Sequence, residues 1–568
     1  TIVRVPLNGR RVRGWVTSTK VAPESVAPTT KIADVLSVSS LGPLPDVVDA
    51  ARWAQDRFVG PLAAFLDSAS PSTNLPIVKP SKVTSDGSTA AQTQPRDQLI
   101  EVPPAADRMR YVRELGVAGR TVLVLVPTHA EAYRLVGALR RTGASALAWV
   151  DNYGAGFASA DSAQPRYIVG TRAAVWASVV DLAAIVVLDA HDHLYGEERA
   201  PTWNAIEIAR HRASAAGVPL RLLTPIPHAA LREQSGAEPV WASAELRSEG
   251  WAPTIVVDRK VEDPTKGLFP HSVVNFLDSD QSTLVIYNRT GRIRLLQCQS
   301  CWSVASCERC GGSVHQHVGD GGSSNDGLSV FQCSRCGFER PEVCLSCAGQ
   351  KFKSMRVGAT KVAQDLSTLL RQDVGLVDSQ KDDLPQNRVV VGTEALLRRS
   401  DPVGRVAFID FDQELYGSRI SSDVRACGLL ALAHRLVGGS RRDGAVLIQT
   451  SMPQHPVVEA SVAKDISTLT AVMSQQREVL NLPPFSAIAR IEGAASPAYV
   501  DALKQQLEHV DAGSILRSVD VASTGPDQWL VRAPTEAALS QALRLVARSD
   551  LTTDPGARLR IAVNPVDL

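Results

Sequence analysis

No run of the 568 residues is long and apolar enough to cross a bilayer. The longest, such as Val122–Val126 and Ala183–Leu188, fall far short of the about 20 residues that a spanning helix needs, which argues against a membrane span. Cysteine is nearly absent outside one stretch: of nine, eight lie between Cys298 and Cys347. A disulfide framework would spread its cysteines along a short secreted chain, so that class is set aside. An excess of charge is missing too. Lys and Arg total 60 against 59 Asp and Glu, a net +1, so only local charge can speak for or against a polyanionic partner. A phosphate-binding loop, Gly-x-x-x-x-Gly-Lys-Ser/Thr, occurs nowhere. The chain opens at Thr1 rather than Met, as a processed or truncated N-terminus would. It shows no signal-peptide pattern and is expected to be cytoplasmic.

What is present is globular. A content of 44% hydrophobic and 21% charged residues excludes a disordered, fibrous or coiled-coil chain. At roughly 100–200 residues per domain the length fits about three to five domains. Residues 1–20 carry Arg4, Arg10, Arg11, Arg13 and Lys20 with no acid, and Val3, Val5, Val12, Trp15 and Val16 flank Asn8-Gly9, a hairpin signal. A basic β-hairpin from a small N-terminal β domain is expected, followed over 44–68 by helix interrupted at Pro61. The first unit is placed at 1–68. Residues 69–98, rich in Ser, Thr and Pro, read as a flexible linker.

From 99 to 240 the pattern is α/β. Thr121–Val126, Arg166–Val169, Ala184–Asp189 and Pro219–Thr224 read as strands and 131–141 as helix, which implies a parallel sheet with crossover helices. Residues 241–297 begin a second such block, with His271–Leu277 and Gln281–Tyr287 resembling strands. The block resumes over 351–484, with strands at Val389–Val391, Arg405–Asp410 and Gly444–Thr450, a helix near 423–436 and a long helix over 456–480. Residues 485–568 alternate strand, helix, strand, strand, helix, strand: Ala487–Ile491, Ala498–Val510, Ile515–Val519, Trp529–Ala533, Glu536–Val546 and Leu559–Val563. That order fits a C-terminal split βαβ sandwich.

Residues 298–350 hold four Cys-x-x-Cys pairs: Cys298/Cys301, Cys307/Cys310, Cys333/Cys336 and Cys344/Cys347. Zinc takes four thiolates in a tetrahedron, and each pair supplies two from one tight turn. Gly311, Gly312, Gly337 and Gly349 suit those turns. Two four-cysteine sites are expected, both structural because neither keeps an open position. Nesting puts Cys298, Cys301, Cys344 and Cys347 on one ion and Cys307, Cys310, Cys333 and Cys336 on the other; sequential and crossed assignments stay open. With all positions filled, His315 is not expected to be a ligand. The remaining Cys427, in the apolar stretch Ala426–Ala433, reads as a buried thiol. Arg292, Arg294, Arg309, Arg335, Arg340, Lys351, Lys353 and Arg356 make the module's surroundings modestly basic, which favours DNA nearby.

Two α/β blocks suggest a motor ATPase, yet its chemistry is missing. Glu114–Arg120, before the strand at 121, lacks the loop, the Lys and the hydroxyl. A strand-end acid exists at Asp189, but Ala190 follows where a water-activating Glu would stand. Asp189 therefore reads as an acid capping the strand exit. No catalytic residue and no nucleotide-binding residue is expected, and ATP with Mg2+ is disfavoured as a cofactor.

At this point the residues resemble a known family. NRTGRIRLLQCQSC, CERC, CSRCGFERPEVCLSC and SMRVGATKVAQDL are similar to the zinc-bearing core of the PriA family of primosomal replication-restart proteins, superfamily 2 DNA helicases. LVLVPT at 123–128, VGTRAAVWASVVDLAAIVVLDAHDHLY at 169–195, PTWNAIEIARHRA at 201–213, VVVGTEALLRR at 389–399, FIDFDQELY at 408–416, VLIQTSMPQHPVV at 446–458 and REVLNLPPFSAIAR at 477–490 resemble further family segments. The cysteine block and LPPF are the most specific. The departures resemble those of a degenerate, high-GC Gram-positive member. The family's DEEH is here Asp189-Ala190-His191-Asp192, its SATPS is Leu223-Thr224-Pro225-Ile226-Pro227, and its GRAGR is Gly439-Ser440-Arg441-Arg442-Asp443. The resemblance implies two RecA-like helicase lobes, degenerate in their ATPase motifs and interrupted by the double-zinc insertion. It also implies that the chain opens inside the DNA 3′-end-binding domain, and it leaves no room for the family's winged helix.

The resulting expectation is a replication-restart and primosome-assembly protein. It would bind forked or branched DNA and recruit replisome-loading partners without hydrolysing ATP or unwinding. The implied partners are single-stranded DNA-binding protein and the replicative helicase or its loader, at the nucleoid. An active ATP-dependent 3′-to-5′ helicase and a zinc-stabilised protein-interaction scaffold are the alternatives. Arg10, Arg11 and Arg13 are the DNA-contact candidates, weighed against a plain solvated hairpin. Trp15 reads as a packing residue, Arg477 and Phe485 as holding the junction to the C-terminal domain, and Lys361 as a solvated surface lysine.

Overall fold

The computed structural model describes the chain except residues 8, 20, 22–32, 72–73, 76–96, 150–164, 263–266, 289–295, 302, 310–312, 319–328, 334–337, 355–357, 378–383, 417–420, 512, 548–556 and 566–568. The N-terminal hairpin pairs β1 (Ile2–Leu7) with β2 (Arg10–Trp15), and β3 (Ser37–Ser40) joins the other edge of β1, all antiparallel. Gly9 takes φ +75° at the hairpin connection, a conformation L-residues avoid; Asn8 lies outside the described residues. Helices Pro45–Phe58 and Leu62–Ser68 follow. The break between them falls at Val59-Gly60-Pro61. There a Cβ on Gly60 would stand 2.5 Å from Cβ of Pro201, so only glycine permits the approach. Most of the expected linker, 76–96, lies outside the described residues.

The first large sheet has seven parallel strands: β4 (Gln98–Glu101), β5 (Thr121–Leu125), β6 (Ser145–Ala148), β7 (Arg166–Gly170), β8 (Leu182–Leu188), β11 (Leu220–Thr224) and β12 (Pro239–Val240), in the order β12-β4-β11-β8-β5-β7-β6. A small ribbon, β9 (Gly196–Glu197) with β10 (Trp203–Asn204), precedes β11. All seven residues of β8 and all five of β5 are buried, as befits central strands covered on both faces. Their side chains alternate. Val122 and Val124 meet the His129–Arg141 helix through Ala132, Val136 and Leu139. Leu123, Leu125, Ile185 and Val187 join a core shared with the Pro45–Phe58 helix, the Ala205–Ala216 helix and the C-terminal sheet.

The second sheet has six parallel strands: β13 (Thr254–Asp258), β14 (Thr283–Ile286), β20 (Val374–Leu376), β21 (Val389–Gly392), β22 (Arg405–Phe408) and β23 (Ala445–Thr450), in the order β13-β23-β22-β14-β21-β20. Between β14 and β20 sits the cysteine insertion. It consists of β15 (Leu296–Cys298) paired with β19 (Phe352–Ser354), and of β16 (Val314–Val318), β17 (Ser329–Cys333) and β18 (Glu339–Pro341) in one antiparallel sheet. The C-terminal sheet runs β25 (Asp520–Gly525), β26 (Gln528–Ala533), β24 (Ala487–Glu492), β27 (Arg560–Val563), all antiparallel.

Three segments differ from expectation. His271–Leu277 is a helix, not a strand: Pro270 stands at its N-cap, and buried Val273, Phe276 and Leu277 recur at helical spacing. Ile515–Ser518 forms a 3₁₀ turn whose Ser514 hydroxyl accepts from the Leu516 amide, and the strand starts only at Asp520. The long helix over 456–480 is two, Pro456–Ala463 and Ser467–Val479. Lys464 turns left-handed at φ +56°, and Asp465 accepts from the Ser467 amide at 2.9 Å to start the second.

Candidate metal centre and inter-sheet cleft

Cys298 ends β15, and the chain turns at once so that the Ser300 amide points to its sulfur at 3.4 Å. Across from it, Cys344 and Cys347 lie on a turn closed by the Cys344 amide donating to the Gly349 carbonyl at 2.9 Å. A Cβ on Gly349 would stand 3.0 Å from Sγ of Cys298 and 3.3 Å from Sγ of Cys347, so the smallest residue lets the two turns meet. The four sulfurs of Cys298, Cys301, Cys344 and Cys347 all lie within 4.8 Å of one another. Cys298 is 3.6 Å from Cys347, and Cys301 is 3.5 Å from Cys344. Thiolates at about 2.3 Å from a Zn2+ ion stand about 3.8 Å apart at the corners of a tetrahedron. The donor set, its number and its spacing therefore fit one structural zinc.

Of the inner set, Cys307 and Cys333 are buried in one small apolar cluster with Leu296, Val314 and Phe331. Cys310 and Cys336 lie outside the described residues, as do Arg292, Arg294, Arg335 and Arg356. Arg340 does not face solvent: it is 6% exposed, donates to the carbonyls of Val343 at 2.6 Å and Ser306 at 3.0 Å, and lies over the Phe331 ring. It braces the insertion.

Asp189 follows β8 at the carboxyl edge of the first sheet, with φ +52°. It is not merely a cap on the strand exit. Arg108, at the end of the loop after β4, donates to Oδ2 at 2.5 Å. Arg435, on the Ser422–Val437 helix of the second sheet, donates to Oδ2 at 2.8 Å and to Oδ1 at 2.5 Å. Burial alone would push the Asp189 carboxyl up; the Arg435 and Arg108 guanidiniums outweigh it and hold the group well below the usual carboxylate range. Glu131, in the first turn of the His129–Arg141 helix, stands 3.6 Å from Arg435 and 3.9 Å from Arg108. Burial pushes its carboxyl up, and the Asp189 charge adds to that. Next door, Asp192 accepts from Arg398 at 2.7 Å, and His191 is 3.0 Å from the Thr224 hydroxyl. Burial lowers His191 to about 4, so its ring is neutral at pH 7.

The two arginines escaped the sequence reading because they lie 81 and 246 residues from Asp189; no local spacing marks them. Glu114–Arg120 leads into the amino end of β5, whereas Asp189 sits at the opposite, carboxyl edge of the same parallel sheet. The segment that reaches Asp189 is Val102–Arg108, after β4, and its sequence VPPAADR likewise has no Gly-x-x-x-x-Gly-Lys-Ser/Thr. Gly439 and Ser440 lie in a 3₁₀ turn, and Arg441, 74% exposed, pairs with Glu249.

The other singled-out residues are spread over the molecule. Arg10 and Arg11 are exposed on β2. Arg13 is engaged: it pairs with Asp67 at 3.2 Å, donates to the Pro71 carbonyl at 3.3 Å and lies over Trp15 at 5.4 Å. Trp15 packs against the first core, and its indole donates to the Ser70 hydroxyl at 2.8 Å. Lys361 is exposed and pairs with Asp365 at 2.6 Å. Arg477 donates to the Pro483 carbonyl at 2.7 Å, while Phe485 is half-exposed. Cys427 is fully buried, which pushes its thiol up. His315 lies on β16 opposite Gln332, apart from the four clustered sulfurs. Among the described residues no helix is long and apolar enough to cross a membrane.

No protein-family model matches the chain. Two chains of S. cerevisiae Dbp5, one of them bound to RNA and ADP BeF3, overlap 78% of this chain and 99% and 100% of their own. They do so at 12% identity and TM-scores of 0.37 and 0.35. Curated relatives are more telling. The replication restart protein PriA of Haemophilus influenzae is 23% identical over 507 residues, covering 81% of this chain and 68% of that protein. Its counterparts in Synechocystis and Thermotoga maritima are 24% and 26% identical over 65% and 57% of this chain, and only 48% and 46% of their own lengths are covered. These partial matches at 23–26% identity make the chain a distant and partial homologue of the PriA replication restart proteins.

Proposed function

We propose that the chain is a replication-restart protein that binds forked or branched DNA and recruits replisome-loading partners without turning over ATP. The two parallel sheets act as degenerate RecA-like lobes, and the insertion carries a second zinc on Cys307, Cys310, Cys333 and Cys336. Single-stranded DNA-binding protein and the replicative helicase or its loader are the proposed partners, and the cytoplasmic nucleoid the proposed place. The restart role rests on the PriA homology across most of the chain. The lack of turnover rests on one observation: both oxygens of Asp189 accept from guanidiniums, beside a loop with no phosphate-binding sequence. Magnesium bound to a nucleotide would need that carboxylate. Stabilising a transferring phosphoryl group would also need free cations aimed at it, whereas these cations are spent on Asp189.

Fork-DNA affinity measured against salt tests the binding role. Neutralising phosphates releases counterions, so log K should fall linearly with log salt at a slope of about −0.9 for each phosphate neutralised. Arg10→Ala with Arg11→Ala should weaken binding to every fork sequence and flatten the slope by about one for each arginine that meets a phosphate. An affinity that ignores salt, or a slope unchanged in the double variant, would leave the hairpin a plain solvated element. In the first case the protein-scaffold reading gains.

A further inference from the structure

We propose that the Arg108–Asp189–Arg435 clasp holds the two parallel sheets in one closed arrangement that does not respond to nucleotide. The inference rests on the proposed lack of nucleotide turnover and deepens it, and it would hold for a chain that bound no DNA.

Three separate ties cross from the first sheet to the second. At the centre, Arg435 engages both oxygens of Asp189 and also donates through Nε to the Pro104 carbonyl at 3.0 Å. To one side, Arg398 donates to Asp192 at 2.7 Å, and Arg134 of the first unit donates to the Arg398 carbonyl at 3.3 Å. To the other, Arg247 on the connecting Ala244–Gly250 helix bridges Glu101, at the end of β4, and Asp465 of the second unit at 2.7 and 3.0 Å. Between these ties the two halves pack closely. A Cβ placed on Gly439 would stand 3.0 Å from Cβ of Ala105, so the space over the Val102–Arg108 loop is filled by the second unit. Asp189, Asp192 and Glu101 are each nearly excluded from solvent. Pairs so placed are little screened by salt, and breaking one strands an uncompensated charge. In a cleft that closes on a nucleotide, the ligand supplies the charge that joins the two halves. Here the joining charges are both covalent parts of the chain. The carboxylate of one half already carries the cation of the other, so closure has no ligand to wait for.

Hydrogen exchange on the full zinc-loaded chain reads the clasp directly. The Ala105 amide donates to the Gly250 carbonyl at 3.1 Å, and its peptide reports whether the loop stays closed. In the native protein, exchange over 102–108 and over the Ser422–Val437 helix should be the same with and without millimolar Mg-ATP. In Arg435→Ala, exchange over 102–108 should rise by about tenfold or more, while β5 and β8 stay protected; Arg435→Lys should recover part of the protection. Should Arg435→Ala fail to fold, Arg108→Ala tests the same clasp, with exchange over 102–108 expected to rise while β5 and β8 stay protected. Slowed exchange on adding Mg-ATP, or native protection in a folded Arg435→Ala protein, would overturn the clasp.

Discussion

Asp189→Asn is expected to lower the free energy of unfolding by about 3–5 kcal/mol, the loss seen when one partner of a buried charge pair is removed. Asparagine keeps the shape, so packing changes little. It removes the charge that two guanidiniums share and leaves Arg108 and Arg435, 24% and 18% exposed, without it. Arg435 keeps Glu131, at 3.6 Å, and the Pro104 carbonyl. Adding Arg435→Gln to Asp189→Asn removes one stranded cation and should restore part of the loss. The two changes are therefore strongly non-additive in a double-mutant cycle followed by urea unfolding. The pH dependence has a definite sign. The folded Asp189 carboxyl lies below its ordinary 3.8. Its contribution is therefore present above that pH and is lost as pH falls. The native and Asp189→Asn proteins should converge in stability in strong acid. Equal stabilities at pH 7 would mean that the ion pairs contribute nothing.

Cys301→Ser should be as damaging, but only locally. The apolar cluster of the insertion is small, holding Leu296, Ala305, Val314 and Phe331 besides cysteines. At about 1.5–3 kcal/mol for each large side chain buried, it cannot offset the ordering of so many residues. A structural zinc contributes apparent binding energies of about 10–16 kcal/mol. Losing one of four thiolates should release an ion, and exchange over 296–301 and 339–352 should rise toward that of an unfolded chain, while β5, β8 and β23 stay protected. The proposed second set, on Cys307, Cys310, Cys333 and Cys336, would keep its own ion. Zinc counted by atomic emission should fall from two per chain to one. A variant that kept its full zinc and its protection would remove Cys301 from the centre.

The parts of this molecule legible in sequence are those whose signal is local. TVLVL and LAAIVVL announce central strands because both faces of a parallel sheet are covered, so no polar alternation interrupts them. The cysteines are legible as zinc ligands because each Cys-x-x-Cys turn supplies two thiolates, but which pairs share an ion was not, since sequence leaves sequential and crossed assignments open. His271–Leu277 misled because seven residues hold too few periods to separate a helix from a strand. Asp189 was legible as an acid at a strand end, but its partners were not. Arg108 and Arg435 come from elements brought together only when the two sheets pack. The shared core of the first sheet, the Pro45–Phe58 helix and the C-terminal sheet was equally silent, since Ile491 and Leu503 look like any buried residues of their own unit.

Isothermal titration of the zinc-loaded chain with Mg-ATP, run with a phosphate-release assay on forked DNA, puts the role of Asp189 to the sharpest test. With its carboxylate held by Arg108 and Arg435, the chain should give no magnesium-dependent binding heat and no phosphate above the blank, with or without the fork. Tight magnesium-dependent binding, or turnover on forked DNA that Asp189→Asn abolishes, would show a working nucleotide site and contradict the reading.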